Sequence, residues 1–174
     1  EFQKLYESMN AAYPTGDVKP LAWHLGMQVT DGPGVIELSL STYIQEVIER
    51  FGLTEAYTSR CCVPMDPAKF KQNPLSKKDM PKTAEEKLDP ERCPYRALLG
   101  CLSYISLWGR PDICTAISIL ARFQDNPGKR HWEALKHVAV YLKRNPDYCI
   151  RYQQDAPKHN TLTGYVDADF ANSD

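Results

Sequence analysis

Residues 127–146 read PGKRHWEALKHVAVYLKRNP, and most of the fold can be worked out from this stretch. Pro127 ahead of it and Asn145 with Pro146 behind it bound a helix from about Gly128 to Lys143, because proline lacks the N–H and the room that a helix interior needs. At 100° per residue Trp132, Leu135, Val138, Ala139 and Leu142 fall within one arc of about 120°, the pattern of a helix with one buried face. On the opposite arc Lys129, Lys136 and Lys143 recur every seven residues, and so do Arg130, His137 and Arg144. Successive basic pairs then lie about 10 Å apart along the axis. That spacing suits a nucleic-acid backbone, where each neutralised phosphate releases counterions. Only Glu133 interrupts the basic surface. The competing reading is the solvated polar face that any amphipathic helix carries.

Two further helices precede it. Tyr95 to Leu107 starts after Pro94 and carries Leu98, Leu99, Leu102 and Ile105 as an apolar stripe, with Gly100 as a point of close approach. Pro111 suits a first helical turn, and the segment after it offers Ile113, Ala116, Ile117, Leu120 and Phe123 for burial. Upstream, residues 53–94 hold Pro64, Pro67, Pro74, Pro81, Pro90 and Pro94 among scattered Lys and Glu. A connector this long is expected to cross between subdomains.

The N-terminal part is mixed. Phe2, Leu5, Tyr6 and Met9 give a short helical stripe over residues 1–12. Leu21 to Thr30 and Val35 to Leu40 read as strands joined by the turn residues Asp31, Gly32, Pro33 and Gly34. Thr42 and Gln45 fit a capping box, Ile44, Val47, Ile48 and Phe51 line one face, and Gly52 marks the stop. Trp23, His24, Leu25, Gly26 and Met27 combine an aromatic ring, a hydrogen-bonding group and a glycine that lets another backbone come near. An ordinary core strand is the alternative reading of these five residues.

With 174 residues and 43% apolar content, the chain can bury one real core. The net charge of −1 argues against a uniformly basic nucleic-acid binder. It conceals an asymmetry, since Arg92 to Arg144 holds nine Lys and Arg against three acids, leaving +6 there and −7 elsewhere. This basic third is where a polyanionic partner is expected. No apolar run approaches the eighteen or so residues needed to span a bilayer, and EFQKLYESMN lacks the apolar stretch of a signal peptide, so a soluble, intracellular chain without membrane partners is expected. Cys61, Cys62, Cys93, Cys101, Cys114 and Cys149 fit no C-x-x-C pair and are expected as buried free thiols. The four histidines form no zinc spacing with them. No Gly-rich phosphate loop, G-x-S-x-G motif or triad order is present.

At the far end Tyr148 to Tyr152 and Thr161 to Asp167 read as two strands that form a hairpin opening a new sheet. The second delivers Asp167 and Asp169 in an i, i+2 relation, which puts both carboxylates on one face, where they could share a hard cation such as Mg²⁺. Acids near a strand end also mark turns.

The series Tyr95, Arg96, Leu99, Gly100, Leu102, Tyr104, then Arg110, Pro111, Asp112, Ile113, Ala116, Leu120, Arg122, Phe123, Pro127, His131, Trp132, Ala134, Lys136, Val138, Tyr141, Leu142 and Lys143 closely resembles the Pol polyprotein of copia-type LTR retrotransposons. So do Leu25, Gly26 and Met27 through Leu38, Ser39, Tyr43, Ile44, Phe51, Gly52 and Leu53, and so does the ending GYVDAD. The order is kept from about Phe2 to Asp169.

The resemblance implies an α+β chain: a β-hairpin of the palm edge, a helical thumb and connection, and an incomplete ribonuclease H-like β-hairpin at the C-terminus. It divides the chain into the end of the reverse transcriptase palm (1–52), a Pro-rich connector (53–94), the thumb and connection (95–146) and the start of ribonuclease H (147–174). By the same resemblance Trp23, His24, Leu25, Gly26 and Met27 form a primer grip, and Lys129, Arg130, Lys136, Lys143 and Arg144 meet the phosphates of an RNA/DNA template-primer duplex. Asp167 aligns with the first metal-binding carboxylate of ribonuclease H. The parent enzyme would use Mg²⁺, act with the remainder of the Pol polyprotein, and reside in cytoplasmic virus-like particles or the nucleus. The paired aspartates of the polymerase are absent here, and the other ribonuclease H acids would lie beyond Asp174. Two-metal chemistry needs several carboxylates, so this stretch alone is not expected to polymerise, cleave, or hold Mg²⁺ tightly. A degenerate or co-opted element serving protein interaction is the alternative.

Overall fold

The computed structural model describes residues 2–14, 16–53, 63–65 and 72–154. They form a mixed α and β structure in the order α1 (Phe2–Ala12), β1 (Trp23–His24), β2 (Met27–Gly32), β3 (Val35–Ser39), α2 (Ser41–Arg50), a 3₁₀ turn (Lys77–Asp79), α3 (Tyr95–Trp108), a second 3₁₀ turn (Pro111–Ile113), α4 (Cys114–Ala121), α5 (Lys129–Arg144) and β4 (Ile150–Gln153).

The helices assemble as their apolar periodicities predict. Leu98, Leu102 and Ile105 of α3, Ala116, Ile117 and Leu120 of α4, and Trp132, Leu135, Val138, Ala139 and Leu142 of α5 are all buried together. Each fully buried aliphatic side chain contributes about 1.5–3 kcal/mol. The Tyr95 hydroxyl at the start of α3 donates to the Leu120 carbonyl at 2.8 Å and ties the two helices where they meet. Ile44, Val47 and Ile48 of α2 close the core against α5. Helix α2 ends as expected: Gly52 takes a φ of 62°, its N–H reaches the Glu49 carbonyl, and the Leu53 N–H reaches the Ile48 carbonyl. This is the Schellman pattern that glycine permits. Its start differs from expectation. The cap is Leu40, with no side-chain bond, and Thr42 lies inside the helix. Ser39 does the nearby polar work instead, its hydroxyl accepting from the Ser41 N–H.

The close approaches fall at other glycines than Gly100, which faces open space. A Cβ on Gly109 would sit 2.7 Å from Leu40 Cδ1, and one on Gly128 would run into the Asp79 carbonyl oxygen. Helix α1 forms as expected, but it buries none of its residues, and its stripe of Phe2, Leu5 and Met9 is exposed.

The sheet is antiparallel in the order β1-β2-β3-β4. The expected strand over Leu21 to Thr30 is in fact two strands folded on a two-residue turn, with Trp23 opposite Gln28 and His24 opposite Met27. Leu25 and Gly26 take φ values of 48° and 75°, the paired positive angles of a type I′ hairpin turn. Leucine is a poor residue for that angle, which hid the turn from the sequence pattern. Asp31 and Gly32, expected in the next turn, belong to β2, and the loop to β3 is only Pro33 and Gly34.

Strand β4 corrects a larger expectation. Ile150–Gln153 does not open a new sheet but pairs with β3, Leu38 opposite Ile150 and Val35 opposite Gln153. Edge groups of β3 were available, and the end of α5 delivers the chain beside them. Glu37 and Arg151 face each other across this pair at 2.7 Å. Thr161 to Asp167, the partner strand expected from the sequence, lies outside the described residues.

Candidate nucleic-acid interface

The surface centres on α5, whose apolar face is fixed in the core and whose two ends carry exposed basic side chains. Lys129, Arg130, Lys143 and Arg144 are exposed and Lys136 is half-buried. Lys143 and Arg144 occupy the last turn, where they also complement the helix dipole. The rows expected from the sequence are not one continuous face: residues 138–142 are all buried, Val140 and Tyr141 among them on the basic arc, so Lys129 and Arg130 at one end are separated from Lys143 and Arg144 at the other, and the residues between are engaged. Lys136 pairs with Glu133 at 2.8 Å and lies over the Trp132 ring. His137 Nε2 is 3.1 Å from the Val63 carbonyl oxygen. Lys143 and Arg144 have partners within the chain as well.

Arg130 is the most heavily engaged. Its Nη1 pairs with the Asp79 carboxylate and donates to Asn73 Oδ1, and its Nη2 donates to the Asn73 carbonyl at 2.9 Å. Asp79 is itself built into a capping box: Ser76 N–H donates to Asp79 Oδ2 at 2.9 Å, and the Ser76 hydroxyl accepts from the Lys78 N–H. Burial would raise the Asp79 carboxyl, but the hydrogen bonds from Arg130 and Ser76 outweigh it and hold the group below its ordinary value. The connector thus lies against the first turn of α5, a contact that no periodicity in its own sequence announces.

The same turn buries His131. Its Nδ1 accepts from the Gly128 N–H at 2.9 Å and its ring stacks on Phe123 with centroids 4.1 Å apart. The proton therefore sits on Nε2, which has no partner among the described residues. Burial lowers the His131 pKa, so the ring is neutral near pH 7.

The second candidate surface is the Trp23 to Met27 hairpin. Trp23 is 54% exposed and Leu25 56%, whereas Met27 is buried. Tyr104 of α3 donates its hydroxyl to the Leu25 carbonyl, and its ring meets Tyr43 edge-on at 5.2 Å. Gly26 serves the turn through its φ, since a Cβ there would meet only the Tyr104 hydroxyl, at an ordinary 3.6 Å. His24 is exposed. Hairpin and basic face are carried by different elements, the one held by α3 and the other by α5.

No pattern in the sequence gives Arg110 a role, yet among the described residues it is the largest fully buried side chain, 1% exposed. Nε and Nη2 grip both Asp112 oxygens at 3.0 and 2.8 Å, Nη1 donates to the Asn145 carbonyl at 2.7 Å, and Tyr141 donates to Asp112 at 2.8 Å. The guanidinium also lies over the Tyr141 and Tyr148 rings. Burial opposes the Asp112 charge, but the Arg110 and Tyr141 hydrogen bonds prevail and keep its pKa low. The signal available in the sequence was an Arg and an Asp either side of one proline, a spacing that a bidentate pair can use.

Among the described residues no group of three His, Cys, Asp or Glu could hold a metal ion. Asp167 lies outside the described residues. Cys93, Cys101, Cys114 and Cys149 are free, but half-buried or exposed where burial was expected, and Cys61 and Cys62 lie outside the described residues. No described helix is long and apolar enough to cross a membrane.

No protein-family model and no solved structure matches the chain. The retrovirus-related Pol polyprotein from transposon TNT 1-94 of Nicotiana tabacum is 35% identical over 170 residues, which is 97% of this chain and 12% of that polyprotein. The corresponding polyprotein from transposon RE1 of Arabidopsis thaliana is 29% identical over 167 residues, 95% of this chain and 10% of its own length. The chain is a relative of copia-type retrotransposon Pol polyproteins. It spans about a tenth of the length of these two Pol polyproteins. A second kind of relative is the secreted RxLR effector protein 161 of Plasmopara viticola, 35% identical over 78 residues, 45% of this chain and 54% of that protein. Within the retrotransposon relatives the alignment covers both candidate surfaces and the Arg110 cluster, because it runs nearly the whole chain.

Proposed function

We propose that the chain is the part of a retrotransposon reverse transcriptase that follows the catalytic palm and holds the RNA/DNA template-primer duplex. The observation that carries this reading is the set of basic side chains exposed at both ends of α5 in a chain that matches a Pol polyprotein over 97% of its length. Lys129, Arg130, Lys136, Lys143 and Arg144 contact phosphates, which position a duplex without reading its sequence. The Trp23–Met27 hairpin lies near the primer end. In this reading Asp167 belongs to ribonuclease H and meets Mg²⁺ together with carboxylates supplied by the rest of a Pol polyprotein. RNA-directed DNA synthesis and removal of the RNA strand belong to that whole protein, which acts in the cytoplasm or nucleus.

A gel shift with an RNA/DNA hybrid at two salt concentrations tests the reading. Binding should weaken steeply with salt and disappear when the five charges are reversed; binding that ignores salt, or survives the reversal, overturns it.

A second reading, a remnant whose helices serve protein interaction, is favoured by the match to a secreted effector. The flanking reading frame separates the two. Continuation upstream into the paired aspartates and downstream into further acids supports the enzyme, whereas stop codons or an unrelated fused domain support the remnant.

A further inference from the structure

The connector residues Asn73 to Asp79 form a clasp on the first turn of α5, and the contact has three parts of different chemistry. The Asp79 carboxylate neutralises the Arg130 guanidinium, and Asn73 takes two more of its N–H donors. The Asp79 carbonyl oxygen sits where only a glycine at 128 leaves room. Asn126 donates to the Pro81 carbonyl at 3.1 Å and fixes the far side. A carboxylate and an amide carbonyl on one guanidinium reproduce what a phosphate would offer it, namely several oxygen acceptors within reach of its planar N–H fork.

We propose that the Asn73–Asp79 clasp is an internal competitor for the duplex: Asp79 occupies the phosphate position on Arg130 when nucleic acid is absent, and a bound phosphate displaces it. The inference rests on the reading of α5 as a duplex-binding face. The pair is open to exchange from one side: the Arg130 side chain is 42% exposed while Asp79 is 12% exposed, so an incoming phosphate can reach the guanidinium without unburying it. The Arg110 guanidinium, 2% exposed, offers an incoming anion no such access. Asp79 also stays charged well below neutral pH, so the competition persists under ordinary conditions.

Gly128 allows a test that changes no charge. Its φ of −95° and ψ of 176° are open to any residue, so Gly128→Ala strains nothing locally and acts only by pushing the Asp79 carbonyl away. Asp79→Asn is nearly isosteric. It keeps an oxygen for the Ser76 N–H and turns the competing charge into an amide. Glu85→Gln, an exposed connector residue, controls for the general effect of removing one negative charge.

The full chain and these three variants are titrated against a short RNA/DNA hybrid by fluorescence anisotropy at two salt concentrations, with circular dichroism as the check on folding. Gly128→Ala and Asp79→Asn should bind roughly two- to fivefold tighter than the parent. Asp79→Asn should also steepen the salt dependence by up to about one unit of slope, and Glu85→Gln should stay near the parent. Folded variants that bind no tighter than the parent, or an Asp79→Asn gain matched by Glu85→Gln, overturn the competitor while the duplex reading stands. If Gly128→Ala fails to fold, Asp79→Asn against Glu85→Gln decides alone. If neither parent nor variants bind, the duplex reading falls and the competitor falls with it.

Discussion

An arginine–aspartate pair lies at each end of helix α5, and the two pairs do opposite work. At the C-terminal end Arg110 is sealed between Asp112, the Asn145 carbonyl and two tyrosine rings. At the N-terminal end Arg130 meets Asp79 and Asn73 with much of its side chain in water. The acids do not separate them, since Asp112 is 30% and Asp79 12% exposed; the arginines do, one sealed and gripping both carboxylate oxygens, the other half in water with a single bond to its acid. A desolvated guanidinium has no solvent to replace a lost partner, so it fixes structure, whereas a half-exposed one can trade its partner for another anion at lower cost.

The comparison can be broken most directly by truncating each arginine. Arg110→Ala empties a site sealed around the arginine and leaves the Asn145 carbonyl unpaired, and should cost about 2–5 kcal/mol, read as a lower urea midpoint with unchanged slope. Arg130→Ala should cost under about 1 kcal/mol. If the two losses are equal, burial is not what separates the pairs.

Acid separates them by pH window. The lowered pKa of Asp112 means stability that is complete above its unfolded value and is lost as pH falls through the folded one, so unfolding should set in below about pH 4. Asp112→Asn should flatten that limb and lower the plateau. His131 adds a milder decline from about pH 6.5 downward, because its folded pKa lies below the unfolded value and the unfolded chain takes up the proton first. Thermal unfolding across this range, with His131→Gln as the comparison, resolves the two windows.

Tyr141→Phe sharpens the picture further by removing one bond to Asp112 while leaving the ring under Arg110, at a cost of about 0.5–1.5 kcal/mol. The smallest effect belongs to Asp79→Asn, which should change stability by less than about 1 kcal/mol. The same substitution is expected to change duplex affinity, so stability and binding should move independently at this end of α5.

How much of this was legible beforehand follows the range of each interaction. Local periodicity located α3, α4 and α5 and their buried faces, but it gave no sign that Val140 and Tyr141 would be buried on the arc of the basic rows. Gly52 was legible because a left-handed C-cap asks for glycine in any context. The turn at Leu25 and Gly26 was not, since its first residue is one that the turn disfavours. Neither was the engagement of Arg130: the residue that holds it, Asp79, sits in a Pro-rich stretch with no pattern to say which side chain it will meet.

By itself, then, the sequence determined the helices, their apolar faces, the charge asymmetry and the kinship with Pol polyproteins, because these are written in spacing and composition along short stretches. Only the tertiary structure decided that β4 joins β3, that Arg110 is sealed inside, and that the connector clasps the basic face. Those outcomes depend on which edge or charge lies nearest once the core has closed. Val35 meets Gln153, and Arg130 meets Asp79, through packing that brings distant segments together and that neither segment encodes alone.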